Sequence, residues 1–125
     1  MKRVKIGIMS LPNFQAYTRD IVTGKYKRKR GEPKIWFSSM ASFAQVLSDQ
    51  NRDLLSLIAE QQPESISELA RLSDRSQSNL TRTLKKMESY GLVKMETGTR
   101  GSKRPSVPYS DIVLDMSIGR SAQRA

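Results

Sequence analysis

The residues best suited to chemistry in this chain are polar and cationic, and they recur on one flank of a single predicted helix. Leu80, Leu84 and Met87 stand at i, i+4 and i+7, which makes one apolar stripe. At ~100° per residue, Gln77, Ser78, Thr81, Arg82 and Lys85 fall on the far side. That side offers amide and hydroxyl donors and cations, and no carboxylate. Such a face suits the DNA major groove, where phosphates need cations and base edges need short polar side chains. A merely solvated helix face is the bland reading of the same pattern; the missing acid and a basic segment downstream favour contact with a polyanion.

Composition narrows the remaining chemistry. The 125 residues carry a formal charge of +10, with 37% apolar and 6% aromatic residues, enough for one small domain and a modest extension. There is no cysteine and no histidine. Disulfides, thiolate zinc sites, imidazole metal ligands and Ser-His-Asp or Cys-His nucleophiles are therefore excluded. No catalytic constellation, metal or cofactor is expected, and the chain suits a reducing cytoplasm. The opening MKRVKIGIMSLPNF has an apolar run too short and too broken for a secretory signal, and no segment approaches the ~20 apolar residues that span a bilayer.

Charge is unevenly placed. Residues 1–48 hold ten cations against Asp20 and Glu32, a net +8; residues 49–96 are net −1 and residues 97–125 net +3. The densest tract, KYKRKRGEPK at residues 25–34, reads as a basic loop with Gly31 and Pro33 as breakers. It is open whether this loop touches DNA, binds an acidic partner or is only solvated.

The elements that must position these residues follow from periodicity. Val4, Ile6 and Ile8 alternate as in a half-buried strand. Ser10 and Pro12 then open a helix whose buried stripe is Phe14, Tyr17 and Ile21, with Gly24 as its stop. Residues 35–37 suggest a second strand, and a helix is expected from about Ser39. Two short strands are not stable alone in water. They predict either a homodimer interface, by strand pairing or helix packing, or a self-contained cap. Further on, Leu54, Leu55, Leu57 and Ile58 form a broad helix face, ended by Pro63, which biases Gln62 away from helical dihedrals. Ile66, Leu69, Ala70 and Leu72 mark the next helix, Asp74-Arg75 a turn, Ser76 an N-cap and Gly91 a stop. Residues 92–96 and 108–114 alternate as strands, and the loop between them carries Arg100, Lys103 and Arg104, which together read as a hairpin with a long basic tip. The domains expected are 1–48, a basic strand-helix-strand extension with a linking helix; 49–116, the DNA-binding unit; and 117–125, a flexible tail. The fold class expected is mainly α with a small β component.

The order helix, helix, turn, helix, strand, basic loop, strand resembles the winged helix-turn-helix of MarR-type bacterial regulators. Glu68-Leu69-Ala70, the run Ser76-Gln77-Ser78-Asn79-Leu80-Thr81-Arg82, Lys86-Met87-Glu88 and Tyr90-Gly91-Leu92-Val93 carry the resemblance, over residues 49–114. The chain departs from the family in having Arg75 where an apolar residue is usual and in lacking long flanking dimerisation helices. Its N-terminal part looks like a subgroup of small regulators that includes antitoxin-like proteins. The resemblance implies a recognition helix with Gln77, Ser78, Thr81 and Arg82 nearest the bases, Arg75, Ser76, Lys85 and Lys86 at phosphates, and Asn79 also among its DNA-binding residues. It implies a wing reaching the backbone or minor groove through Arg100, Lys103 and Arg104. The function expected is a sequence-specific double-stranded DNA-binding regulator, a homodimer repressing its own operon. The alternative is an antitoxin that neutralises a partner toxin by direct contact.

Overall fold

A computed structural model describes residues 2–116 and 118. In chain order the elements are β1 (Arg3–Ile8), α1 (Leu11–Val22), β2 (Ile35–Phe37), α2 (Met40–Val46), α3 (Asp49–Gln61), α4 (Ile66–Ser73), α5 (Gln77–Tyr90), β3 (Lys94–Thr97), β4 (Lys103–Ser106) and β5 (Asp111–Asp115). Helix outweighs strand, but two sheets among the described residues make the fold mixed α/β. The chain divides into two units, Met1–Ala44 with Asp111–Ala125, and Gln45–Ser110. No helix among the described residues is long and apolar enough to cross a membrane.

The first unit is built on a parallel three-stranded sheet in the order β2-β1-β5. Paired residues of a parallel ladder share a face. The register Ile6↔Ile35, Ile8↔Phe37, Val4↔Ile112 and Ile6↔Leu114 therefore gathers seven apolar side chains on one side. Val4, Ile6 and Phe37 are buried to 1% exposure or less, each worth ~1.5–3 kcal/mol of burial. On the opposite face Trp36 lies across Gly7, its register partner. The third strand of the sheet, β5, comes from within the chain.

This pairing corrects two expectations. A strand within residues 108–114 is expected to close the basic hairpin; instead Asp111–Asp115 pair with β1, and the compact unit that holds the hairpin ends at Ser110, where the expected DNA-binding unit runs to 116. The physical reason is apolar: Ile112 and Leu114 extend the Val4–Ile6 row, which a hairpin with the polar Lys94–Thr97 strand would not do. The segment expected as a flexible tail, 117–125, lies outside the described residues apart from Ile118.

The loop at residues 25–34 is folded rather than loose. Glu32 accepts hydrogen bonds from the Tyr17 hydroxyl (2.6 Å), the Tyr26 hydroxyl and the Lys29 N–H (2.7 Å). Tyr17 in turn packs against Tyr26 and Trp36 at ring distances of 5.7 and 5.6 Å. Burial, the bond to Glu32 and its charge push the Tyr17 hydroxyl up to about 12, against a partial offset from Arg28. Glu32 is raised by burial, but the two hydroxyls, the Lys29 N–H and Arg28 outweigh this and hold its carboxyl below the usual range.

The second unit packs three helices on a short hairpin. Ser48, Ser65 and Ser76 each cap a helix by accepting the N–H three residues on, from Asn51, Glu68 and Asn79. Gln62, Asp74 and Gly91 end α3, α4 and α5 in left-handed conformation. Gln62 does leave the helical region before Pro63, but into φ 47°, not the extended region, where its N–H still reaches Ile58. Leu54, Leu55, Ile58, Leu69, Leu80, Leu84, Met87, Leu92 and Val93 form the core. Strands β3 and β4 pair antiparallel from Lys94↔Ser106 to Thr97↔Lys103.

Two outcomes test this packing. A Cβ on Gly7 would lie 2.4 Å from Trp36 Cζ3 and 2.9 Å from Pro33 Cγ, so Gly7→Ala should lower stability by ~1–3 kcal/mol in urea unfolding followed by the fluorescence of Trp36, the single tryptophan. Because the Glu32 carboxyl is held low, its contribution is complete above the ordinary carboxylate range and is lost as pH falls through its lowered value. At the other extreme, Tyr17 should ionise near 12. In Glu32→Gln, phenolate absorbance should show that titration moved down towards the ordinary ~10.

Candidate nucleic-acid interface

Helix α5 is held in one rotation about its axis by three side chains. Leu80 and Met87 are wholly buried and Leu84 is 1% exposed. Gln77, Ser78, Thr81, Arg82, Lys85 and Lys86 are exposed as a consequence. Among the described residues none of Arg82, Lys85 and Lys86 makes an ion pair, although Arg82 Nε donates back to the Ser78 carbonyl at 3.5 Å. One acid does approach this flank. Glu88 is exposed and falls ~20° from Gln77 about the helix axis, one turn beyond Lys85. Helix α5 itself therefore carries no acid over its first three turns.

The N-terminal end is more constrained than the sequence suggests. The Ser76 side chain caps α5 and lies 3.3 Å from the Ser78 hydroxyl. Gln77 Nε2 donates to Ser67 on α4 at 3.0 Å, so the amide is positioned across the turn. Thr81 donates its hydroxyl to the Gln77 carbonyl at 2.8 Å, so that oxygen remains available only as an acceptor.

Three of the residues expected at the interface have other commitments. Arg75 donates to Asn51 Oδ1 at 3.2 Å and to the Gln50 carbonyl at 2.9 Å, so its guanidinium ties the α4–α5 turn to α3. Asn79 is half-buried, with its amide oxygen buried and without a partner. It lines a cleft of ≈ 330 Å³ beside Asn51, Gln45, Thr83, Arg82 and Lys86, on the flank of α5 and away from the centre of its exposed face. Arg104 lies on β4, not in a loop, and pairs at 3.7 Å with Glu96, its cross-strand neighbour. Arg75 joins two helices through these two hydrogen bonds, a role that residue type alone does not reveal.

The hairpin brings Lys103 and Arg100 to its outer end. Lys103 is exposed at the start of β4, paired with Thr97. Arg100 is exposed in the turn at φ 60°, followed by Gly101 at φ 77°. Two successive left-handed residues turn the chain sharply there, and for arginine that conformation costs ~1 kcal/mol or more. The base of the turn is tied by Ser102, whose hydroxyl donates to the Glu64 carbonyl at 3.4 Å. No group of three or more acidic side chains that could hold a metal occurs among the described residues.

A mixed α/β chain with a helical unit, a short hairpin and an exposed cationic helix flank is what fold and geometry define. Residues 46–114 match the HVO_A0114 family, and the chain belongs to that family. No curated protein matches the chain.

The contrast between Arg75 and its neighbours is measurable. Arg75→Ala should reduce stability by ~1–2 kcal/mol through its two lost hydrogen bonds. Lys85→Ala, on an open helix face, should stay within ~0.5 kcal/mol of the parent in the same denaturation assay.

Proposed function

We propose that this chain is a sequence-specific double-stranded DNA-binding regulator of the MarR-like winged helix-turn-helix kind, acting as a dimer that represses its own operon. In this reading α4 and α5 form the helix-turn-helix, α5 lies in the major groove, and the β3–β4 hairpin is the wing. The observation that carries it is the exposed flank of Ser78, Thr81, Arg82, Lys85 and Lys86, acid-free over three turns, on a helix whose opposite flank is fully buried.

Arg82 is the base reader in this arrangement, because a guanidinium matches the two acceptors of guanine. Ser78 and Thr81 present short hydroxyls beside it, and the Thr81 methyl suits a thymine methyl. Lys85 and Lys86 are phosphate contacts one turn on. Lys103 and Arg100 reach a flanking backbone or minor groove. Arg75, Asn79 and Arg104 shape the surface without supplying its free charge.

A gel shift on the DNA upstream of the chain's own gene, with random duplex as competitor, tests the reading directly; equal affinity for both would overturn it. Arg82→Ala should weaken binding to the operator by ~1–3 kcal/mol and relax its sequence preference. Lys103→Ala should weaken operator and random duplex alike and lower the salt slope by about one.

A further inference from the structure

We propose that residues 25–34 form a second, preorganised surface for a nucleic-acid phosphate backbone, carried on a different unit of the chain from α5 and indifferent to base sequence. Lys25, Lys27, Arg28, Lys29, Arg30 and Lys34 are all exposed within ten residues. Among the described residues none of Lys25, Lys27, Lys29, Arg30 and Lys34 enters an ion pair. The acid of the tract, Glu32, is turned onto Tyr17, Tyr26 and the Lys29 N–H, so it offers the loop's outer surface little neutralising charge.

The loop is also fixed in shape. Tyr26 N–H donates to the Asp20 carbonyl, Lys34 N–H to the Lys5 carbonyl, and Glu32 N–H to the Lys29 carbonyl. Arg28 Nη2 reaches the Pro33 carbonyl at 3.3 Å, and Gly31 turns the chain at φ +89°. Cations held this way lose less conformational freedom on binding than cations on a loose tether.

The chemistry of the surface favours a phosphate-bearing ligand over a protein partner. Protein interfaces are anchored by exposed aromatic or apolar side chains. Here Pro33 is buried, and Tyr26 is half-buried with its hydroxyl bonded to Glu32. What the loop displays outward is charge. From the preceding section this proposal takes only that the partner is a nucleic acid; it does not require α5 to read bases.

The test is fluorescence anisotropy of the full chain on a labelled random-sequence duplex across a salt titration. Four variants are compared: K27A/K29A/R30A, Y26F, R82A/K85A, and the first combined with the third. The charge variant should lose affinity on the order of tenfold and flatten the salt slope by about 2–3, in the parent and in the R82A/K85A background alike. Y26F leaves the charge unchanged but removes one clamp on Glu32, and should weaken binding several-fold. Parent-like affinity and slope in the charge variant would overturn the surface, and a silent Y26F would overturn its preorganisation. If R82A/K85A alone is silent, the α5 reading fails while the loop stands. Phosphatidylserine vesicles serve as the membrane arm: retention through the same three cations, with duplex binding independent of them, would overturn the proposal.

Discussion

The geometry of residues 45–110 depends on the burial of the apolar flank of α5. Leu80, Leu84 and Met87 leave almost no surface to water, and truncating any of them would cost ~2–5 kcal/mol in lost burial and cavity. Because a helix turns ~100° per residue, that burial permits one rotation of α5 and forbids its neighbours. The outward set of Ser78, Thr81, Arg82, Lys85 and Lys86 is therefore a consequence of packing. The serine caps and left-handed stops set where each helix begins and ends, so the same core also fixes the axial position of those side chains.

The electrostatic character of each unit depends less on how many cations it holds than on where its carboxylates are engaged. Glu32 is bound by two tyrosine hydroxyls and an N–H, Glu96 faces Arg104, and Asp115 lies 3.9 Å from Lys5. Each arrangement removes an acid from a neighbouring cationic surface or neutralises one cation while others stay free. Arg75 shows the converse, a half-buried cation engaged by hydrogen bonds to α3. Total charge, +10, would not distinguish these cases. The two proposed nucleic-acid surfaces, α5 and the 25–34 loop, are defined by this local sorting.

The helices were legible because their signals are local. A serine before an apolar period, a glycine or proline after it, and a stripe at helical spacing placed α3, α4 and α5 within a residue or two of their observed limits. The same local logic placed Ser76 as a cap and Gly91 as a stop. The side chains drawn away from the exposed flank were not legible. Asn79 and Arg75 are polar residues at plausible interface positions, and only their distance to Asn51 and Gln50 on another helix, or their burial, tells them apart from Ser78 and Arg82.

Strand pairing was the least legible feature. A period of two identifies β5 as a strand, but not whether its neighbour is the hairpin strand just before it or β1, about a hundred residues earlier in the chain. Pairing β5 with β1 joins two apolar rows far apart in sequence, and that choice depends on the whole sheet. By itself, then, the sequence determined the helices, their ends, the apolar stripe of α5 and the density of positive charge, since each follows from residues within a few positions of one another. Tertiary structure alone decided the parallel β2-β1-β5 sheet, whose strands lie far apart in the chain, and the inward turn of Glu32 and the pairing of individual cations, because each depends on how the folded backbone aims particular side chains and not on residue type.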